Sequence, residues 1–336
     1  MRGDRIYQTV PVWMLATLFV MLLVACSSDG GSDREERTEL RMVSVMRSST
    51  FTATTDYSPL KLYLYSAEDG AMEGLFSYFT GETVWKSSLE VTANRSYAIY
   101  GFAPATAGTA TLTGASLSGA TLNISNVSAV SAGDICVVTG VQQLATKTAE
   151  KDIKQGVFGF TGKGQGENYV NLLMDHLYAA IRFQMSIDSD YALLRGIKVK
   201  KMELQADKGT SDITIPLTAN ETNSSPIGAV SYTVSGTSSS AVFFDSETGV
   251  TLSDTQVAEA TCCFVPLVRN GLTLVTTYEV YDRNNHLIGE RTAANKLPLL
   301  EAERGQRVTL NLTVNPTYLY QLSEPDLDNP TIKIGD

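Results

Sequence analysis

Alternation of apolar and polar residues with a period of two is the feature of this sequence that most constrains its fold. The clearest example runs from Leu177 to Ile187, where every second residue is apolar. Leu60, Leu62 and Leu64 repeat the pattern, as does the segment from Val308 to Val314. Successive side chains of a strand point to opposite faces, so the alternation predicts half-buried β-strands. Helical signals are scarce, and we predict an all-β fold.

Two local features refine this prediction. The strand-like segment 272–280 leads into Asp-Arg-Asn-Asn at 282–285, and an apolar run resumes at Leu287, which is typical of a β-hairpin with its turn residues in place. The alternation also changes parity between Val199 and Met202. One extra residue in a strand shifts parity in this way, so we expect a β-bulge there.

The N-terminus predicts export. Arg2 and Arg5 precede an uncharged apolar run that ends at Ala25, so we assign residues 1–25 to a signal peptide. Leu-Val-Ala-Cys at positions 23–26 resembles the bacterial lipoprotein signal, in which the cysteine is acylated and becomes the first residue. Two or more acyl chains anchor a protein stably, so the predicted lipidation of Cys26 would hold it in a membrane.

The rest of the chain divides by composition. Residues 27–37 are small and charged, and we predict a flexible tether over 26–37. The glycine-rich segment 162–166 separates two strand-rich halves. We therefore predict an N-terminal β-sandwich domain over 38–165 and a C-terminal β-sandwich domain over 166–336.

Several kinds of chemistry are excluded. A net charge of −10 and a pI near 4.8 argue against a nucleic-acid partner. His176 and His286 are the two histidines, and no paired nucleophile motif accompanies them, so we predict no catalytic residues and no enzyme. The oxygen-rich stretch 326–329 lacks calcium-loop spacing. We predict neither a metal site nor a cofactor.

Cysteines beyond Cys26 do not form a disulfide framework. Cys262 and Cys263 are adjacent and would face opposite sides of a strand, so at most one of them could pair with Cys136. We expect three buried free thiols.

Aromatic residues alternate in two places and leave two interpretations open. They could form a sugar-stacking platform, but half-buried strands commonly contain them, and we favour packing. The residues concerned are Tyr97, Tyr100, Phe102, Tyr318 and Tyr320.

Five stretches resemble the fimbrillin family of Bacteroidetes, the pilins of lipoprotein-derived fibres. They are LVAC at 23–26, HLYAAIRFQMSI at 176–187, LRGIKVKKMEL at 194–204, LVTTYEVYDRNNHLIGE at 274–290 and GQRVTLNLTVNPTYLYQLSEPDLDNP at 305–330. The resemblance implies two tandem transthyretin-like β-sandwich domains and export as a lipoprotein. It also implies that an arginine-specific protease removes the lipid and the first strand. A strand from another subunit then fills the gap, which is donor-strand exchange.

This sequence contains segments for both steps. Residues 39–47 are strand-like, and we predict proteolytic processing after Arg47 because a cut there releases the whole strand. Arg37 and Arg41 are competing sites, and Arg47 could also be an ordinary exposed residue. We predict the donor strand in the C-terminal tail, where Ile332 and Ile334 alternate with a lysine. The alternative is that this tail pairs within its own domain.

The predicted function is a stalk or tip subunit of a cell-surface fimbrium that serves adhesion. Expected partners are other fimbrial subunits, the outer membrane through lipid at Cys26, an arginine-specific protease, and a host or bacterial surface ligand. The alternative is a surface lipoprotein that keeps its lipid, either as a fimbrial anchor subunit or as a protein that binds a glycan or host ligand. The expected location is the outer membrane surface and the fimbrium.

Overall fold

The computed structural model describes residues 36–47, 57–149, 152–255, 258–318 and 325–334. The described part of the chain is nearly all β, as the alternation predicts. Its strands are β1 (Arg37–Arg47), β2 (Leu60–Ser66), β3 (Gly70–Phe79), β4 (Val84–Thr92), β5 (Ser96–Ala103), β6 (Thr109–Thr113), β7 (Gly119–Ser128), β8 (Val130–Ser131), β9 (Cys136–Leu144), β10 (Gly159–Thr161), β11 (Asn168–His176), β12 (Ala179–Ile187), β13 (Gly196–Ala206), β14 (Thr210–Thr218), β15 (Ser231–Ser235), β16 (Ser239–Thr251), β17 (Ala258–Phe264), β18 (Leu272–Tyr281), β19 (Leu287–Lys296), β20 (Arg307–Tyr318) and β21 (Pro325–Ile334). A single helical turn, α1 (Ser189–Ala192), and a 3-10 turn (Pro266–Val268) accompany them.

The strands form four sheets. The first sheet has the order β10-β5-β2-β3-β4-β1-β11-β9, and β5 also pairs with β9, so this sheet closes on itself. The second has the order β21-β20-β12-β17-β8, the third β16-β13-β18-β19, and the fourth β15-β14-β7-β6. All these strands belong to one unit, Arg37–Asp336.

Several pairings connect strands from both sides of the predicted domain boundary. The fourth sheet joins β6 and β7, which precede residue 165, to β14 and β15, which follow it. Strand β11 also follows the boundary and lies in the first sheet, between β1 and β9. The division between residues 165 and 166 remains a prediction, and β1 begins at Arg37, the last residue assigned to the tether.

Local sequence predictions are confirmed in the C-terminal half. In β12, Ile181, Phe183 and Met185 are fully buried and alternate with half-buried polar residues. The register of β13 shifts between Val199 and Lys201 against both neighbouring strands, which is the expected bulge. The predicted hairpin joins β18 to β19 through the turn at 282–285.

The three cysteines within the described residues are buried and form no disulfide there, as expected. Burial raises the pKa of Cys262 to about 12, so this thiol stays protonated and unreactive. No helix in the described ranges combines the length and hydrophobicity that a membrane span requires.

Candidate functional site

Strand β1 lies inside the first sheet, hydrogen-bonded on both sides. It runs antiparallel to β4 and parallel to β11. We call the space that residues 37–47 fill between these two strands the β1 position. If β1 left, backbone groups on the facing edges of β4 and β11 would lose their partners, and two open edges readily pair with another strand.

Apolar side chains fix one face of β1. Leu40 is 1% exposed and Met42 is fully buried, and both belong to the main core. Burying an aliphatic side chain of this size contributes about 1.5–3 kcal/mol. Val45 is half-buried and packs against the same core. The β1 position is therefore an apolar groove whenever β1 is absent from it.

Polar contacts hold β1 along its length. Asn168 Nδ2 donates to Thr38 Oγ1 at 2.5 Å, and that hydroxyl donates to the carbonyl of Lys163 at 2.9 Å. Further along, Ser44 Oγ donates to Oδ1 of the buried Asn171 at 2.9 Å. These bonds join β1 to β11 and to the loop before it, so they set the register of the parallel pair.

Arg41, between the two buried apolar residues, is surrounded by carboxylates. Its guanidinium pairs with Glu39 at 2.8 Å, with Glu82 at 3.0 Å and with Glu167 at 2.6 Å. Desolvation opposes the charged form of Arg41, but the hydrogen bond to Glu39 and the three carboxylate charges hold its pKa above the usual value. We call Glu82 and Glu167 the acidic pair, because both would remain if β1 departed.

We expect Leu40→Ala to lower the free energy of unfolding by about 2–5 kcal/mol, because it removes a buried side chain from the centre of β1. Urea denaturation of the full chain measures this loss. Leu193→Ala is the matched control, since Leu193 is 73% exposed and its truncation should change stability by less than about 0.5 kcal/mol. Similar losses for both variants would contradict the buried position of β1.

The C-terminal strand β21 lies at the edge of the second sheet, antiparallel to β20. Ile332 is 5% exposed and lies opposite Val314, while Ile334 is half-buried opposite Leu312. Asn295 Nδ2 donates to the carbonyl of Ile332 at 2.9 Å. In the single chain the tail thus pairs within its own sheet, through one of its two edges.

The other predicted site residues fall at or outside the limits of the described chain. Cys26 lies outside the described residues. Arg47 is the last residue of β1, immediately before the undescribed segment 48–56, and Arg37 is the first. The structure therefore places the three candidate arginines on one strand, with the guanidinium of Arg41 already engaged by carboxylates.

An aromatic pocket that the sequence did not indicate lies beside the second half of β1. Tyr57 stacks on Tyr78 with ring centroids 4.1 Å apart, and Tyr78 meets Trp85 edge-on at 4.6 Å. The pocket has a volume of about 400 Å³, and its other lining residues are Val43, Ser44, Val45, Thr83, Lys147, Thr148 and Ala149. Trp85 Nε1 is buried without a hydrogen-bond partner among the described residues. A concave aromatic site with a few polar groups is typical of a small-ligand pocket.

The aromatic residues that alternate in the sequence at 97–102 do not line this pocket. Tyr97, Tyr100 and Phe102 are at most 1% exposed and belong to the core, which confirms packing. The side chains of Tyr318 and Tyr320 lie outside the described part of the chain.

No protein-family model matches the chain, and neither does any curated protein. Among solved structures, a candidate cell adhesion protein from Bacteroides fragilis is 12% identical, with a TM-score of 0.46 over 89% of this chain and 98% of that one. A candidate polysaccharide-binding protein from Bacteroides thetaiotaomicron is 9% identical, with a TM-score of 0.33 over 82% and 91%. The fimbrial anchor protein Mfa2 from Porphyromonas gingivalis is 7% identical, with a TM-score of 0.29 over 89% and 97%. At such low identities and TM-scores, these likenesses assign neither a family nor a function to the chain.

Proposed function

We propose that this protein is a structural subunit of a cell-surface fimbrium, in the stalk or at the tip, that serves adhesion. It is exported as a lipoprotein acylated at Cys26, reaches the outer membrane surface and is cut after Arg47 by an arginine-specific protease. Subunits then join by donor-strand exchange, in which the C-terminal strand of one subunit fills the β1 position of the next. Two transthyretin-like sandwiches, 38–165 and 166–336, form the body of each subunit.

A match between the departing strand and the incoming one carries this proposal. The centre of β1 reads Leu-Arg-Met at 40–42, and the tail reads Ile-Lys-Ile at 332–334. Both segments have a basic residue between two apolar residues. This order is the same in either chain direction, so it does not depend on the direction in which the incoming strand runs. Ile332 and Ile334 would enter the spaces of Leu40 and Met42. Lys333 would then face the acidic pair in place of Arg41.

The location of each strand supports the exchange. β1 is bonded on two sides and leaves a groove with two open edges, whereas β21 is bonded along one side in the described structure. A tail that moves from an edge to an inner position gains a second row of backbone hydrogen bonds, each contributing about 0.5–1.5 kcal/mol net. The exchange therefore favours the polymer over the cleaved single subunit.

We expect deletion of residues 331–336 to abolish the ladder of heat-sensitive polymers that strand-exchanged subunits produce on a denaturing gel. The deletion removes both isoleucines that the β1 position would receive. Deletion of residues 335 and 336 alone is the control and should leave the ladder intact. A ladder that persisted without residues 331–336 would show that another segment is the donor.

The aromatic pocket favours a second candidate function, a lipid-retaining surface lipoprotein that binds a glycan. Tyr57 is 49% exposed and stacks on Tyr78, so their ring faces could stack against the apolar face of a sugar. Hydroxyl groups of Ser44, Thr83 and Thr148 line the same pocket and could bind sugar hydroxyls. This function requires neither cleavage at Arg47 nor movement of the tail.

We expect Tyr57→Ala to abolish binding on a glycan array if the pocket holds a sugar, because it removes half of the stacked pair. Phe79→Ala is the matched control, since Phe79 is 43% exposed and does not line the pocket. Equal binding by both variants, or no binding by the unmodified chain, would eliminate this second candidate.

A further inference from the structure

Three different side chains with metal-binding chemistry meet at a buried point where the chain leaves the first sheet. Cys136 is the first residue of β9 and His176 is the last of β11, and the two are direct cross-strand partners. Asp134 lies on the short loop before β9. Cys136 is fully buried, His176 is 1% exposed and Asp134 is 9% exposed. We call these residues the Asp–Cys–His cluster.

Each side chain of the Asp–Cys–His cluster contacts the other two through the same single atom. Cys136 Sγ lies 3.2 Å from Asp134 Oδ2 and 3.6 Å from His176 Nδ1. The same Nδ1 and Oδ2 are paired with each other. All three ligand atoms lie within 4.8 Å of one another.

This convergence does not suit a catalytic relay. In a relay the imidazole uses one ring nitrogen for the carboxylate and the other for the nucleophile, so that a proton passes through the ring. Here the thiol and the carboxylate both approach Nδ1. Convergence of a sulfur, a nitrogen and an oxygen on one point is instead the arrangement of a tetrahedral metal site.

We propose that Asp134, Cys136 and His176 bind one Zn²⁺ ion. Zinc prefers thiolate, imidazole and carboxylate ligands at about 2.0–2.3 Å, which places ligand atoms on one tetrahedral ion roughly 3.3–3.6 Å apart. The Cys136 to His176 separation of 3.6 Å already fits this spacing. The carboxylate oxygen must move away from Nδ1 to admit the ion, and three protein ligands leave the fourth position for water.

The residues around the Asp134 carboxylate bind one of its oxygens and leave open space beside its loop. Tyr178 N donates to Asp134 Oδ1 at 3.3 Å, which leaves Oδ2 for the metal. The exposed residues Ala132 and Gly133 precede Asp134, and a Cβ placed on Gly133 would meet no atom within 4 Å. Space beside Gly133 is therefore available for the shift of this loop that the proposed site requires.

Zinc at this point would stabilise the connection between the first sheet and the second sheet. His176 ends β11 in the first sheet, and β12 of the second sheet begins three residues later at Ala179. Arg304 donates to Asp175 Oδ2 and to the carbonyl of His176, each at 2.8 Å. The loop that carries Arg304 therefore already stabilises this connection. The ion would add a link between β9, β11 and the loop that carries Asp134.

Binding releases protons. The Cys136 thiol gives its proton to solvent when the sulfur becomes a metal ligand, and the imidazole must be neutral to donate its Nδ1 lone pair to zinc. The affinity should therefore fall as the pH is lowered, because protons compete with the ion for sulfur and nitrogen.

Cobalt substitution tests the proposal directly. The full chain, purified in detergent and treated with a chelator, is titrated with Co²⁺ and then with Zn²⁺. We expect one equivalent of cobalt to give the visible bands of a tetrahedral ion and a near-ultraviolet thiolate band, both displaced by zinc. Cys136→Ala should abolish the thiolate band and weaken zinc binding about 100-fold or more. Removing a residue that only supports a metal ligand costs about 10- to 100-fold in affinity, so loss of a ligand itself should cost at least the upper value.

Cys263→Ala is the matched control, because Cys263 is also a buried cysteine that forms no disulfide and lies outside the Asp–Cys–His cluster. It should keep both the band and the affinity. X-ray absorption at the zinc edge of the unmodified chain provides a readout that does not depend on the folding of a variant, and one sulfur among the zinc ligands is expected. Cobalt bound without a thiolate band, zinc bound without sulfur, or no metal bound at all would each overturn the proposal and leave the cluster as a buried carboxylate paired with an imidazole beside a thiol.

Discussion

A disulfide that ties β21 to β20 is expected to stop fibre assembly, and its reduction is expected to restore it. Asn315 and Thr331 are direct partners in this antiparallel pair, so a double replacement by cysteine meets the spacing that a disulfide needs. The pair leaves Ile332, Lys333 and Ile334 unchanged. The locked tail cannot leave its own sheet, so no strand is available for the neighbouring subunit. Ladders of heat-sensitive polymers before and after reductant measure the effect.

The control for this experiment is a second engineered disulfide, placed between two strands that take no part in the exchange. Thr277 and Thr292 are partners in the β18–β19 hairpin, with hydroxyl oxygens 3.4 Å apart. Cysteines at these two positions should close a disulfide without changing the ladder, because that hairpin takes no part in the exchange. Polymers that formed while the 315–331 disulfide was intact would eliminate β21 as the donor strand.

Replacing Arg47 with alanine is expected to leave the protein lipidated, full-length and unable to form fibres. The reason lies in the extent of β1, which runs from Arg37 to Arg47. A cut after Arg37 would leave almost all of β1 in place, and a cut after Arg41 would leave Met42 buried. A cut after Arg47 frees the whole strand. Immunoblotting of whole cells for the size of the chain, together with the ladder assay, measures both results.

Arg37→Ala is the matched control, because Arg37 is an exposed arginine on the same strand. Processing should continue in this variant. If Arg37→Ala blocked cleavage while Arg47→Ala did not, the processing site would lie at the start of β1 and the strand would stay in the subunit.

Much of the local structure follows from residue patterns. The alternation in 177–187 and 308–314 predicted β12 and β20, and the parity change near Lys200 predicted the bulge in β13. These features depend on neighbouring residues alone, since the side chains of a strand alternate between faces wherever the strand lies. The hairpin at 282–285 is equally local.

Residue patterns do not predict which strands pair when they lie far apart in the chain. β1 pairs with β4 and with β11, whose residues lie far along the chain from it, and no spacing signal marks them as partners. The fourth sheet pairs β7 with β14 across the predicted domain boundary. Many strands of similar composition satisfy a period of two equally well, so the pattern cannot choose among them.

In the candidate sites, too, local features follow from the sequence, whereas contacts between distant residues do not. The apolar face of Leu40 and Met42 could be predicted from alternation, but the acidic pair around Arg41 comes from two separate loops. Cys136 and His176 are 40 residues apart, a spacing that matches no metal motif, which is why the sequence predicted no metal. Tyr57, Tyr78 and Trp85 likewise form a pocket only after β1, β3 and β4 have come together.

The N-terminal sequence of the subunit in assembled fibres tests the proposed function most directly. Fibres sheared from the producing bacterium, dissociated by heat and sequenced from the N-terminus, are expected to begin at Ser48, with no acyl group and no residue of β1. Subunits that begin at acylated Cys26 would still carry β1 in the first sheet, and that result would contradict assembly by exchange at the β1 position.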